Sequence, residues 1–200
     1  PRLSAKVAQS RSRDSGNTTL MKEYDGGIII LTGANSSPGL SSMPVKKEIF
    51  DEIDRFPVEI ENEGDPMDIA EARTTTFPRY KMFKCSSPTI ESLSRINRSW
   101  KRSDQRRYFV PCPECGEKQF LKWDQLQYDA DHPERARYAC EHCGSLIDEH
   151  HKTAMLAAGE WRATFPEREV VGFHINALYT PLGLGKRWGD HARRFEEIKR

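Results

Sequence analysis

The chain has 200 residues and carries 31 Lys+Arg against 30 Asp+Glu, a net charge of +1. Length predicts one or two domains, and 36% hydrophobic residues with a mean hydropathy of −0.75 describe a lean globular protein rather than a disordered one. The longest apolar run, at 154–158, has five residues, which excludes a membrane-spanning helix. Four of the five cysteines fall in two close pairs, a pattern that does not read as a disulfide framework. The chain opens on Pro1 with no signal peptide and ends within a charged, helix-like stretch, so it reads as a piece of a longer cytoplasmic protein.

Charge is segregated along the chain. Residues 1–22 hold five bases and one acid, 44–72 hold ten acids and three bases, and 91–111 hold six bases and two acids. Such blocks are either solvated faces or an acidic centre flanked by surfaces that meet an anion.

Taken in chain order, GGIIILTG (26–33) is a glycine-bounded, β-branched run that predicts a buried strand. ANSSPGLSSMP (34–44) predicts a loop, and residues 45–50 a strand interrupted by Lys46, Lys47 and Glu48. Asp65-Pro66 before MDIAEAR predicts a helix with Asp65 as N-cap and Pro66 in its first turn. YKMFKC (80–85) predicts a strand, and residues 90–101 a helix. Strands divided by loops and helices indicate an α/β sheet. A second unit starts near Tyr108, with helices over 150–159 and 187–200 and strand-like sequence over 161–179.

Cys112 and Cys115 form one CxxC pair and Cys140 and Cys143 another, with 24 residues between them. Four thiolates suit tetrahedral Zn²⁺, and a two-residue spacing lets one tight knuckle present both sulfurs to one ion. Gly116 and Gly144 follow the pairs, where a knuckle calls for positive φ. Four sulfurs close the shell, so the expected Zn²⁺ is structural, His142 is redundant, and Cys85 is an ordinary buried thiol at a strand end. His150 and His151 are expected on the surface of the following helix.

Two further motifs have open readings on their own. IFDEID (49–54) places Asp51 and Glu52 behind apolar residues; in nucleotide hydrolases such an Asp holds Mg²⁺ and the adjacent Glu serves the attacking water, while a solvated acidic turn fits the same residues. Asp54 reads as a helix or turn cap. Ser86-Ser87-Pro88-Thr89 follows a strand where parallel sheets place their sites, and equally fits a plain hydroxyl-rich turn.

Their order is more specific than either alone. SRSRDSGNTTLMKEYDGG (10–27), GANSSPGLSS (33–42), FDEIDRFP (50–57), GDPMDIAEARTTTF (64–77), KCSSPT (84–89), SDQRRYFVPCPECG (103–116), CEHCGSLIDEHHK (140–152) and VGFHINALYTP (171–181) resemble, in this order, the large terminase subunit of tailed phages of the lambda (GpA-like) type. The resemblance implies a partial P-loop (RecA/ASCE-like) ATPase sheet over 1–107, a four-cysteine zinc ribbon over 108–150, and a region over 151–200 leading toward a nuclease domain. It implies an ATP-driven motor that packages double-stranded DNA into a procapsid, an endonuclease in the full protein, a small terminase subunit and the procapsid portal as partners, a homo-oligomeric assembly, and the host cytoplasm as its place of work. On this resemblance Asp51 is the Walker B aspartate holding Mg²⁺, Glu52 the catalytic glutamate, and Ser87, Pro88 and Thr89 the coupling motif. Basic tracts near Arg11–Arg13 and Arg98–Arg107 are candidates for DNA phosphate. The chain has no GxxxxGK[ST] cradle and its Walker B strand is unusually polar, so it is expected to bind Zn²⁺, to bind DNA at most weakly, and not to hydrolyse ATP or cut DNA alone. A DExD-type helicase-like fragment and a non-enzymatic zinc-ribbon module binding nucleic acid are the alternatives.

Overall fold

A computed structural model describes residues 18–199, so the basic tract near Arg11–Arg13 lies outside the described residues. The described residues form two compact units, divided between residues 96 and 97, each mixing helices and strands.

In the first unit β1 (Met21–Tyr24) and β2 (Gly27–Ile30) form an antiparallel hairpin, with Gly26 at φ +89° in its two-residue turn. The expected strand is therefore present, but it is not buried. Ile28, Ile29 and Ile30 are 43–53% exposed, because a two-stranded hairpin has no second layer over it among the described residues. The expected loop at 34–44 contains a short helix, α1 (Ser37–Ser41), which forms because the Ser36 hydroxyl accepts the Gly39 N–H and Pro38 opens the first turn. Next come β3 (Lys47–Asp51), α2 (Pro66–Glu71) and β4 (Lys81–Cys85). Asp65 caps α2 as expected, its carboxylate accepting the Met67 N–H at 2.9 Å.

β3 and β4 pair in parallel, from Lys47 opposite Lys81 to Asp51 opposite Cys85, so both strands end at one level. Phe50, Ile53, Met67 and Ala70 form the buried core beneath them, with Leu40, Phe56, Met82 and Ile96 packed around it. The helix expected over 90–101 is shorter, α3 (Arg95–Arg102), because residues 90–94 form a turn closed by the Leu93 and Ser94 N–H groups on the Ile90 carbonyl.

In the second unit β5 (Arg106–Pro111) is the central strand. It pairs with β6 (Lys118–Phe120) across the first CxxC turn. β7 (Leu126–Gln127), β8 (Arg137–Ala139) and β9 (Leu146–Ile147) form a second small sheet, with the second CxxC turn between β8 and β9. α4 (Lys152–Ala157) follows a helical turn at Glu149–His151; His150 is exposed and His151 half-buried. β10 (Glu160–Arg162) pairs antiparallel and β11 (Phe173–His174) parallel with β5. The 161–179 segment is thus only partly strand. Asp104 interrupts it: its carbonyl accepts the Thr164 and Phe165 N–H groups, and its buried carboxylate accepts the Gly172 N–H and Arg106 Nε. α5 (Trp188–Lys199) completes the unit.

Trp188, Tyr138, Val110, Leu121 and Met155 fill this core together with Cys112 and Cys140. Most of its polar atoms find partners, although Gln119 Nε2 and His191 Nε2 are buried without one. Trp188 Nε1 donates to the Leu178 carbonyl, the Tyr179 hydroxyl accepts the Leu121 N–H and donates to the Tyr108 carbonyl, and buried Lys152 pairs with Glu149 at 2.7 Å. No helix among the described residues is long and apolar enough to cross a membrane.

Candidate functional site

Asp51 ends β3, and its carboxylate accepts a hydrogen bond from the Cys85 thiol at the end of β4, 3.1 Å away. Cys85 is half-buried at a strand end, and its contact with Asp51 has no sequence signature because 34 residues separate them. Burial and the Asp51 carboxylate push the Cys85 thiol up. Glu52 has φ +55°, the left-handed region that non-glycine residues rarely adopt. This turns the chain sharply at the strand end and leaves both carboxylates exposed, one residue apart. Such backbone geometry is concentrated at functional sites.

Asp54 joins this acidic turn to the hydroxyl-rich one. Its N–H donates to Ser86 Oγ (3.2 Å), and its Oδ2 accepts the Thr89 N–H (3.0 Å) and hydroxyl (3.3 Å). Its Oδ1 accepts the Ile96 N–H in the first turn of α3 at 2.8 Å. Asp54 is therefore a cap, as its sequence suggests, but of a helix 42 residues away. Ser87 and Pro88 are exposed between the two residues of the turn that bond to it. Arg95 reinforces the same region by donating to the Ile53, Phe56 and Pro57 carbonyls and to Asp65. Burial raises the Asp54 pKa, but donors from Ser94, Ile96 and Thr89 outweigh it and hold the carboxyl below its usual range. Asp54→Ala strands two backbone donors and is expected to destabilise the first unit by about 2–3 kcal/mol, read from urea unfolding; an unchanged midpoint rejects the clamp.

The polar residues of β3 divide between solvent and interior. Lys46 and Lys47 are exposed, whereas Glu48 points inward with Oε2 buried and without a hydrogen-bond partner. Burial, with the Glu71 carboxylate adding to it and Lys84 opposing, raises the Glu48 pKa from 4.5 to about 7. The folded chain then holds this proton more tightly than the unfolded chain. Stability from this group is complete below about pH 4.5 and is lost as pH rises to about 7. Glu48→Gln is expected to melt with the wild type at pH 5 and about 2–4 °C above it at pH 8. An equal difference at both pH values counts against the assignment.

In the second unit the four sulfurs of Cys112, Cys115, Cys140 and Cys143 all lie within 4.8 Å of one another. Cys112–Cys143 and Cys115–Cys140 are each 3.9 Å apart. Zn–S bonds of about 2.3 Å in a tetrahedron require sulfurs about 3.8 Å apart, so the set fits a zinc-sized ion. The two turns are built alike. The Cys112 N–H donates to the Glu117 carbonyl and the Gly116 N–H to the Cys112 carbonyl; Cys140, Ser145 and Gly144 repeat the arrangement, every bond at 2.9 Å. Gly116 (φ +77°) and Gly144 (φ +73°) have open space where a Cβ would stand, so backbone conformation rather than crowding calls for glycine.

His142 lies outside the sulfur set, as expected. Ser145 was not foreseen: its hydroxyl lies 3.0 Å from Cys143 Sγ and, with its own N–H, pulls that thiol down to about 6. Among the described residues this is the one cluster of metal-ligating side chains.

The chain is similar to the terminase large subunits of Enterobacteria phage P21 and Escherichia phage lambda. It is 28% identical to the first over 153 residues and 28% to the second over 155, which is 72% and 74% of this chain. Each alignment covers 24% of the relative, so the chain spans about a quarter of the length of the curated relatives it matches. No solved structure matches it. The family described as phage terminase large subunit gpA, ATPase domain, matches residues 1–161, which take in the Asp51–Asp54 turn, the Ser86–Thr89 turn and all four clustered cysteines, and the chain belongs to that family.

Proposed function

We propose that this chain is the part of a phage DNA-packaging motor that carries the hydrolytic carboxylates, the coupling turn and a structural zinc ribbon. The supporting observation is that parallel strands β3 and β4 end together and Asp54 bonds the turn after one to the turn after the other. In the complete large subunit Asp51 would hold Mg²⁺, and Glu52 would take the proton from the water that attacks ATP. When bound, the metal neutralises charge on the phosphates. Ser87, Pro88 and Thr89 form the coupling turn, and any shift of Thr89 reaches the start of α3 through the Asp54 carboxylate.

On this reading residues 1–107 are the C-terminal part of a P-loop ATPase sheet. Cys112, Cys115, Cys140 and Cys143 hold structural Zn²⁺ in a ribbon over 108–150, and 151–200 lead toward a nuclease domain that cuts concatemeric DNA. The substrate is double-stranded DNA. The small terminase subunit and the procapsid portal are the partners, and the motor works as a homo-oligomer in the host cytoplasm. The test is Asp51→Asn in the complete subunit, which is expected to lose ATP hydrolysis and DNA packaging together. Retained hydrolysis rejects the assignment.

A further inference from the structure

Side chains alternate across a strand, so β5 sends Tyr108 and Val110 toward the core and Arg107 and Phe109 to the other side. The neighbouring strands continue that outer face in register: Phe120 lies opposite Phe109, Glu160 opposite Phe109, and Arg162 opposite Arg107. None of these outer residues is buried. The rings of Phe109 and Phe120 meet edge to face at 5.5 Å. Cations cover them: Arg107 and Lys122 each sit 4.5 Å from the Phe120 centroid, and Arg162 sits 4.8 Å from that of Phe109.

Two features of this face point to an anionic occupant. Arg107 and Arg162 stand directly opposite each other on adjacent strands, where like charges destabilise a sheet, and the one carboxylate paired with Arg162, Glu160, is shared with Lys118. Arg107, Lys118, Lys122 and Arg162 also outnumber the two carboxylates that pair on this face, with Glu160 shared by Lys118 and Arg162, and Glu141 on Lys122. The rings act as supports. They fix long side chains that otherwise lose rotamer entropy on binding and hold the Arg107 guanidinium ready for phosphate oxygens, while Arg162 meets phosphate by exchanging its Glu160 partner. Because cations already cover the ring faces, the surface favours backbone phosphate over stacked single-stranded bases.

We infer that the outer face of the β10–β5–β6 sheet, built by Arg107, Phe109, Lys118, Phe120, Lys122 and Arg162, binds the phosphate backbone of duplex DNA. This rests on the DNA-motor reading above. It assigns DNA contact to the same unit as the four-cysteine cluster, and it extends the basic tract ending at Arg107 to three cations that lie well beyond it in sequence.

The test is a fluorescence-anisotropy titration of a short DNA duplex with the full chain, zinc-loaded, across a salt series. The wild type is expected to bind with a steep salt dependence. Arg107→Gln/Arg162→Gln is expected to weaken binding about tenfold and to reduce the magnitude of the log–log salt slope by about 2. Arg193→Gln/Arg194→Gln on α5 removes the same charge elsewhere and is expected to change neither. If the first pair loses zinc or its native tryptophan spectrum, Lys122→Gln/Arg162→Gln replaces it with the same expectation. The proposal is overturned by no duplex binding, by tighter binding of single strands, by equal losses in the α5 control, or by an unaffected face variant. None of these outcomes bears on the Asp51 hydrolysis assay, so failure of the surface and failure of the motor reading are separable.

Discussion

Stripping the metal from the four-cysteine cluster is expected to unfold much of the second unit and leave the first largely intact. Cys112 and Cys140 belong to the buried core as well as to the sulfur set, so an ion held by the four sulfurs would be continuous with the apolar core. Without the ion, four thiols sit at sulfur–sulfur distances suited to metal-bound thiolates, and the two turns lose their common anchor. Structural Zn²⁺ in small domains contributes apparent binding energies of about 10–16 kcal/mol. A core that also holds Trp188, Tyr179 and Met155 retains part of its packing without metal, so a loss on the order of 5 kcal/mol is expected. All four tryptophans lie between residues 100 and 188; α3 runs across the division between the units and its Trp100 belongs to the second, so their emission reports on that unit. Chelation should shift that emission to the red, and restored Zn²⁺ should reverse it. Cys112→Ser, at a position 2% exposed, should abolish stoichiometric zinc and produce the same red shift in the presence of metal. Native tryptophan emission and an unchanged melting point in metal-free protein would sink the structural role.

What the sequence disclosed depended on how local the causes were. The cysteine turns were legible because each is set within six residues by CxxCG, and backbone hydrogen bonds inside each turn then aim both sulfurs. Asp65 was legible as a cap because its acceptor bond reaches only two residues ahead. β3 and β4 were legible as strands, but their register was not, and register alone brings Cys85 to Asp51. Asp54 was legible as a cap, but nothing near it named α3 as the helix it serves. Ile28–Ile30 misled because β-branched content specifies a strand and not the layer that covers it. The 161–179 segment misled for a different reason: buried Asp104, some 60 residues upstream, claims the amides that a continuous strand would use.

In the complete large subunit, Glu52→Gln is expected to cut ATP hydrolysis by a factor of about 10²–10⁴ while nucleotide binding persists. The neighbouring carboxylates are assigned different work, and the variants should separate it. Asp51→Asn removes the group proposed to hold Mg²⁺, so it should weaken Mg²⁺-dependent nucleotide binding as well as turnover. Glu52→Gln keeps the side-chain length and the left-handed backbone but removes the proposed proton acceptor, so it should lower turnover and leave binding near that of the wild type. Neither change should alter folding much. Both side chains are exposed, and Glu52 makes no capping hydrogen bond with its own. The one structural partner at risk is Cys85, whose thiol donates to Asp51 and can donate equally to an asparagine oxygen. A nucleotide trapped but not hydrolysed by the Glu52→Gln subunit, with a wild-type melting curve, places the proton transfer at Glu52. Hydrolysis within a few-fold of wild type leaves the acidic turn as a solvated surface and removes Glu52 from the chemistry.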